Sequence, residues 1–140
     1  MDRSAAKAIV DAHLDELQAL LGIQHWRVRV SYDPLESERP GWDTLGNCFA
    51  NPDYDSSLIN LNADALDNEE QVLSVLRHEL FHVVLSPYNV VENLLAPVLE
   101  GDATKRGMFA SIWTHAMEQT VINLERMFVA LTKAKASADG

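Results

Sequence analysis

Apolar residues recur at helical spacing from about Ser4 to Leu21, at Ala8, Ile9, Ala12, Leu14, Leu17 and Leu20/Leu21, and Gly22 supplies a stop. Trp26, Val28 and Val30 then alternate with Arg27, Arg29 and Ser31, the pattern of a half-buried strand, which Asp33-Pro34 ends. The polar stretch LESERPGWDT, with Pro40-Gly41 inside it, reads as a loop. LGNCFAN and SSLINLN read as two short strands around the turn PDYDS, a hairpin.

Asp67, followed three residues later by Glu70, forms a capping-box-like start for a helix from about Asn68 to Leu85. Val72, Leu73, Leu76, Leu80, Val83 and Val84 give that helix an apolar stripe, and Pro87 ends it. Residues 86–106 form a connecting segment with room for one short helix. A second long helix is predicted from about Gly107 to Lys133, with Phe109, Ile112, Trp113, Ala116, Met117, Leu124, Phe128 and Leu131 on one face. Residues 135–140 read as a disordered tail. The order of elements predicts a single α+β domain over residues 1–134, a small three-stranded sheet packed against helices.

Composition narrows the function classes. A chain of 140 residues, 47% apolar and 23% charged, is long enough for a hydrophobic core and ordinary for a globular protein. Its formal net charge of -10, from 21 acidic and 11 basic side chains, argues against nucleic acid or an anionic membrane as partner. The single cysteine, Cys48, allows neither an internal disulfide nor a CxxC knuckle. The first residues read as an amphipathic helix rather than a signal peptide, and no apolar run approaches the ~20 residues that span a bilayer. The expected location is cytoplasmic.

The candidate chemistry lies in LRHELFHVVL, residues 76–85. Four residues are about 400° of helical rotation, so His78 and His82 stand one turn apart and about 40° from each other. Their imidazoles can converge on one ion, as a tetrahedral zinc site with histidine ligands requires. Glu79 is offset to the side, where it can take a proton from a metal-activated water. At ordinary residue frequencies an HExxH pattern arises by chance in roughly one chain of this length in two hundred. The alternative, two satisfied histidines and a surface glutamate, has to account for that rarity inside a capped, uninterrupted helix.

His78-Glu79-Leu80-Phe81-His82 resembles the signature of zincin metallopeptidases, and the element order is similar to their minimal core. The metzincin branch would need Gly at position 85 and His at 88, where this chain has Leu85 and Tyr88. A gluzincin takes its third ligand, a glutamate, from the following helix. The stretch HAMEQTVINLERM offers Glu118 and Glu125 there, and the spacing of Glu118, Val121 and Leu124 resembles the glutamate helix of small phage-type single-domain gluzincin-like proteins. The resemblance implies Glu118 as the third zinc ligand. The helical wheel alone does not choose between Glu118 and Glu125, and His115, Glu92 and Glu100 are further candidates.

What the resemblance implies is a zinc metallopeptidase with His78, His82 and Glu118 as ligands, Glu79 as general base, and an extended peptide or protein substrate on a sheet edge. The competing reading is a zinc-binding structural or interaction domain without proteolysis. Tyr88 is a candidate oxyanion group or a packing residue, and Asn60 and Asn62 either orient neighbouring groups or serve turns. His13, His25, Cys48, Trp26, Trp42 and Trp113 are expected to be structural, and Arg77 has no partner that the sequence identifies.

Overall fold

The computed structural model describes residues 1–37, 43–95 and 97–138, the side chain of residue 136 excepted. The expectations for Pro40-Gly41 and Trp42 therefore lie outside the described residues, as do residues 139–140 of the tail. The chain forms two compact units, Met1–Ser86 and Pro87–Gly140. The architecture is α+β, with a three-stranded mixed sheet, an N-terminal helix and a long C-terminal helix.

In the first unit, α1 (Arg3–Leu21) starts at Asp2, whose carboxylate accepts from the Ser4 and Ala5 amides, and stops at Gly22, which takes the left-handed conformation at φ 71°. Its buried face is Ala6, Val10, Leu17 and Gln18, which differs from the stripe expected: Ala8, Ala12 and Leu20 are exposed. Gln18 accounts for part of the shift. Its buried amide donates to the Ile23 and Trp26 carbonyls, both at 3.0 Å, and so fastens the end of the helix to the start of the sheet.

The strands β1 (Arg27–Ser31), β2 (Gly46–Asn51) and β3 (Ser56–Leu61) lie in the order β1-β3-β2. β2 and β3 form the expected antiparallel hairpin, with Asn47 opposite Asn60 and Phe49 opposite Leu58, while β1 runs parallel to β3. Asn51 caps the short 3-10 turn Pro52–Tyr54 that joins the hairpin strands. β3 is the central strand and alternates strictly, with Ser57, Ile59 and Leu61 buried.

Helix α2 (Glu69–Leu85) packs on β2 and β3, and α1 lies against α2. Val72, Leu76, Leu80 and Val83 are fully buried and form its core-facing stripe. The cap sits one residue later than expected. The Asn68 side chain accepts from the Gln71 amide at 3.0 Å, and the Gln71 side chain accepts from the Asp67 amide at 2.8 Å. Asn68 and Gln71 thus do the work assigned to Asp67 and Glu70.

In the second unit, the 3-10 turn Ser86–Tyr88 leads to α3 (Asn89–Leu95), the short helix for which the connecting segment has room. α4 (Ala103–Ala138) begins earlier than Gly107, because the Asp102 side chain caps it through the Lys105 amide. It also runs past Lys133, where the Ala and Lys residues are strong helix formers. Val121 is fully buried, with Trp113, Met117, Leu124 and Phe128 half-buried, and the Phe109 and Trp113 rings stack at 6.1 Å. Ile112 and Leu131, expected on this face, are exposed.

Candidate metal centre

The cap at Asn68 fixes where α2 begins, and the stripe from Val72 to Val83 fixes which way it is rotated. Together they decide the direction of every other side chain on the helix. His78 and His82 come out half-buried one turn apart, with their Nε2 atoms 3.3 Å from each other and their rings inclined at 65°. Two nitrogens bound tetrahedrally at ~2.0–2.1 Å stand roughly 3.3 Å apart. The imidazoles thus have the separation that a shared ion imposes.

Glu118, on α4, completes the set. His78, His82 and Glu118 each offer one ligand atom, and the three atoms lie within 4.8 Å of one another. Among the described residues this is the one group of His, Cys, Asp or Glu side chains arranged to hold a metal ion. His115, Glu125, Glu92 and Glu100 are not part of it, nor are His13 and His25. His13 Nε2 instead lies 3.5 Å from a Glu69 carboxylate oxygen, linking α1 to the start of α2, and His25 is exposed beside Asp55. Two neutral imidazoles and a carboxylate suit a divalent ion of borderline softness. The residues fit a metal ion, and they leave its identity open.

Glu79 is only 5% exposed. It points towards the beginning of β2, where a Cβ built on Gly46 would stand 2.9 Å from Glu79 Oε1 and 2.7 Å from Val75 Cγ1. Glycine is required there by the carboxylate and the valine above it. The pattern of apolar positions does not single out this residue, although an isolated glycine inside a strand is a signal of close approach.

Cys48, two residues along β2, faces the same side of the sheet as Gly46. Burial pushes its thiol up to about 12, with a further contribution from the negative charge of Glu79. It remains a protonated thiol at neutral pH, in keeping with its expected structural role. Asn60 donates to Asn47 at 2.6 Å on the opposite face of the sheet, so it orients nothing on α2. Asn62 is buried and donates to the Thr44 carbonyl, serving the loop before β2. Tyr88 is 59% exposed, contrary to a packing role.

No protein-family model matches the chain, and comparisons with curated proteins and with solved structures find no match either. No helix among the described residues is long and apolar enough to cross a membrane.

Proposed function

We propose that this chain is a zinc-dependent metallopeptidase-like hydrolase of gluzincin type, with His78, His82 and Glu118 as zinc ligands and Glu79 as general base. The observation that carries the reading is the grouping of one ligand atom from each of these three residues within 4.8 Å, beside a buried glutamate one position from the first histidine. A structural zinc site is closed by four protein ligands, whereas three leave a position for water or substrate. Zinc, when bound there, supplies Lewis acidity that brings water to reactivity near neutral pH and polarises a carbonyl.

The chain's own residues do the rest. Glu79 takes the proton released by the attacking water and hands it to the departing amine nitrogen, returning to its carboxylate form. Burial among Val75, Gly46 and their neighbours holds the carboxylate in one position, so little reorganisation accompanies the transfer. The substrate is an extended peptide. Of the two hairpin strands, β3 is paired on both sides, which leaves β2, an edge strand with Gly46 next to Glu79.

The burial of Glu79 also favours a second reading, a metal-binding module without turnover, because a base at 5% exposure has little room for substrate. Glu79→Gln separates the two. On the hydrolase reading the variant binds zinc as the parent does and loses peptide hydrolysis by at least about 100-fold. A parent without hydrolysis on a diverse peptide library, or a variant that retains it, removes the hydrolase reading.

A further inference from the structure

The Asn62 amide donates to the Leu45 carbonyl at 2.9 Å, and this bond fixes the phase of the β2–β3 ladder. In an antiparallel pair, residues that exchange backbone bonds alternate with residues that do not. Carried along the register, Asn47, Phe49 and Asn51 turn their backbone groups towards Asn60, Leu58 and Ser56. Gly46, Cys48 and Ala50 turn theirs to the other side of β2, where no strand among the described residues pairs with them. An open row of N–H and C=O groups of this kind is a template for an extended chain.

The side chains of β2 divide in the same alternation. Gly46, Cys48 and Ala50, on the face towards α2, are small and offer little to discriminate one peptide from another. On the opposite face Asn47 is held by Asn60, and Asn51 accepts from the Asp53 amide, so both are engaged within the hairpin. Phe49 lies between them, 64% exposed, with half-buried Leu58 directly across from it. Because Phe49 bonds to β3, an antiparallel chain on the open edge meets it at a non-hydrogen-bonded position. There Cα atoms stand only about 4.5 Å apart and side chains are closest.

We propose, resting on the hydrolase reading above, that Phe49 is a specificity-determining residue that selects a bulky apolar side chain in the substrate. The peptide lies antiparallel to β2, the pairing that is more stable per residue, and bonds to Gly46, Cys48 and Ala50. Glu79 stands at the level of Gly46, which places the bond to be cut there. Phe49 is three positions further along β2, so the selected side chain lies about three residues to the amino side of that bond.

The test uses a library of octapeptides in an alanine–serine background, with one position varied at a time. Cleavage sites are mapped by mass spectrometry with the zinc-loaded parent, Phe49→Ala and Phe49→Lys. Affinity for the same peptides is read by fluorescence anisotropy on zinc-loaded Glu79→Gln, with and without each Phe49 substitution, so that binding is seen without turnover. Phe49 is exposed, so its variants should keep the parent's circular dichroism. The expected result is a preference of at least about fivefold for Leu, Met or Phe over Ser at the position described, in cleavage and in binding. Phe49→Ala should reduce it below about twofold, and Phe49→Lys should move it to Asp or Glu at the same position. A preference unchanged in both variants, or one that lies on the carboxyl side of the cut, overturns the proposal and leaves the hydrolase reading standing. Selective binding that follows Phe49, with no cleavage by the parent, does the reverse: the hydrolase reading falls and Phe49 remains the selecting residue of the edge. Neither binding nor cleavage removes both.

Discussion

The carboxylate of Glu79 occupies the space where any residue but glycine at position 46 would carry its side chain, with 2.9 Å between Oε1 and a Cβ built there. The base and the first residue of the edge strand are thereby locked together. Gly46→Ala cannot be accommodated by one flexible tip, because Val75 Cγ1 stands at 2.7 Å and the Asn60 carbonyl at 3.3 Å from the same point. The expected outcome is a loss of about 1–3 kcal/mol of stability, typical of overpacking, measured by urea unfolding. Zinc binding should survive, since none of the three ligands is at this contact, while any hydrolysis falls about tenfold or more as Glu79 is displaced.

Gln18 gives a second prediction. Its amide donates to two carbonyls from a position 8% exposed, so Gln18→Ala takes one donor from each: the Ile23 carbonyl keeps the Trp26 amide at 3.0 Å, while the Trp26 carbonyl loses its side-chain donor in the same enclosure. The cost should be about 1–3 kcal/mol by thermal or urea unfolding. A change under about 0.5 kcal/mol, the scale of ordinary surface substitutions, would show that water replaces the side chain freely.

These two residues also mark where the sequence stops being legible. The HExxH helix, its stop at Pro87, the β2–β3 hairpin and the Gly22 cap follow from local chemistry, and local chemistry is written in the sequence. The rotation of α1 about its own axis is not local. It depends on what Gln18 reaches, and a helical wheel that counts only apolar residues puts Ala8 and Leu20 inside. The insertion of β3 between β2 and β1 is likewise a long-range pairing with no short signal. For the site, the histidine pair follows from spacing, whereas Glu118 and Glu125 are equivalent on the wheel. The resemblance, not the wheel, points to Glu118, and the folded chain groups it with the histidines.

Alkaline pH supplies a third prediction. Burial raises Cys48 from an ordinary value near 9.0 to about 12, and raises Tyr32 from near 10.0 to about 12, with Glu79 and Asp11 respectively adding to the effect. In the unfolded chain both groups lose their protons at their ordinary values, while the folded chain keeps them. The folded state then binds more protons, so stability falls as pH rises. The contribution is complete below pH 9 and is lost progressively between about 9 and 12. Unfolding midpoints measured across that interval should decline, and Cys48→Ala with Tyr32→Phe should flatten the decline. A parent whose midpoint is level from pH 9 to 12 would contradict the burial of both groups.

The central claim, that His78, His82 and Glu118 hold one metal ion, is tested most directly by elemental analysis. The unmodified protein and Glu118→Ala would be dialysed side by side against the same low concentration of zinc. The account predicts one zinc per chain in the parent and a loss of at least about tenfold in affinity in the variant. Equal zinc in both would remove Glu118 from the site, and no zinc in the parent would contradict the metal centre itself.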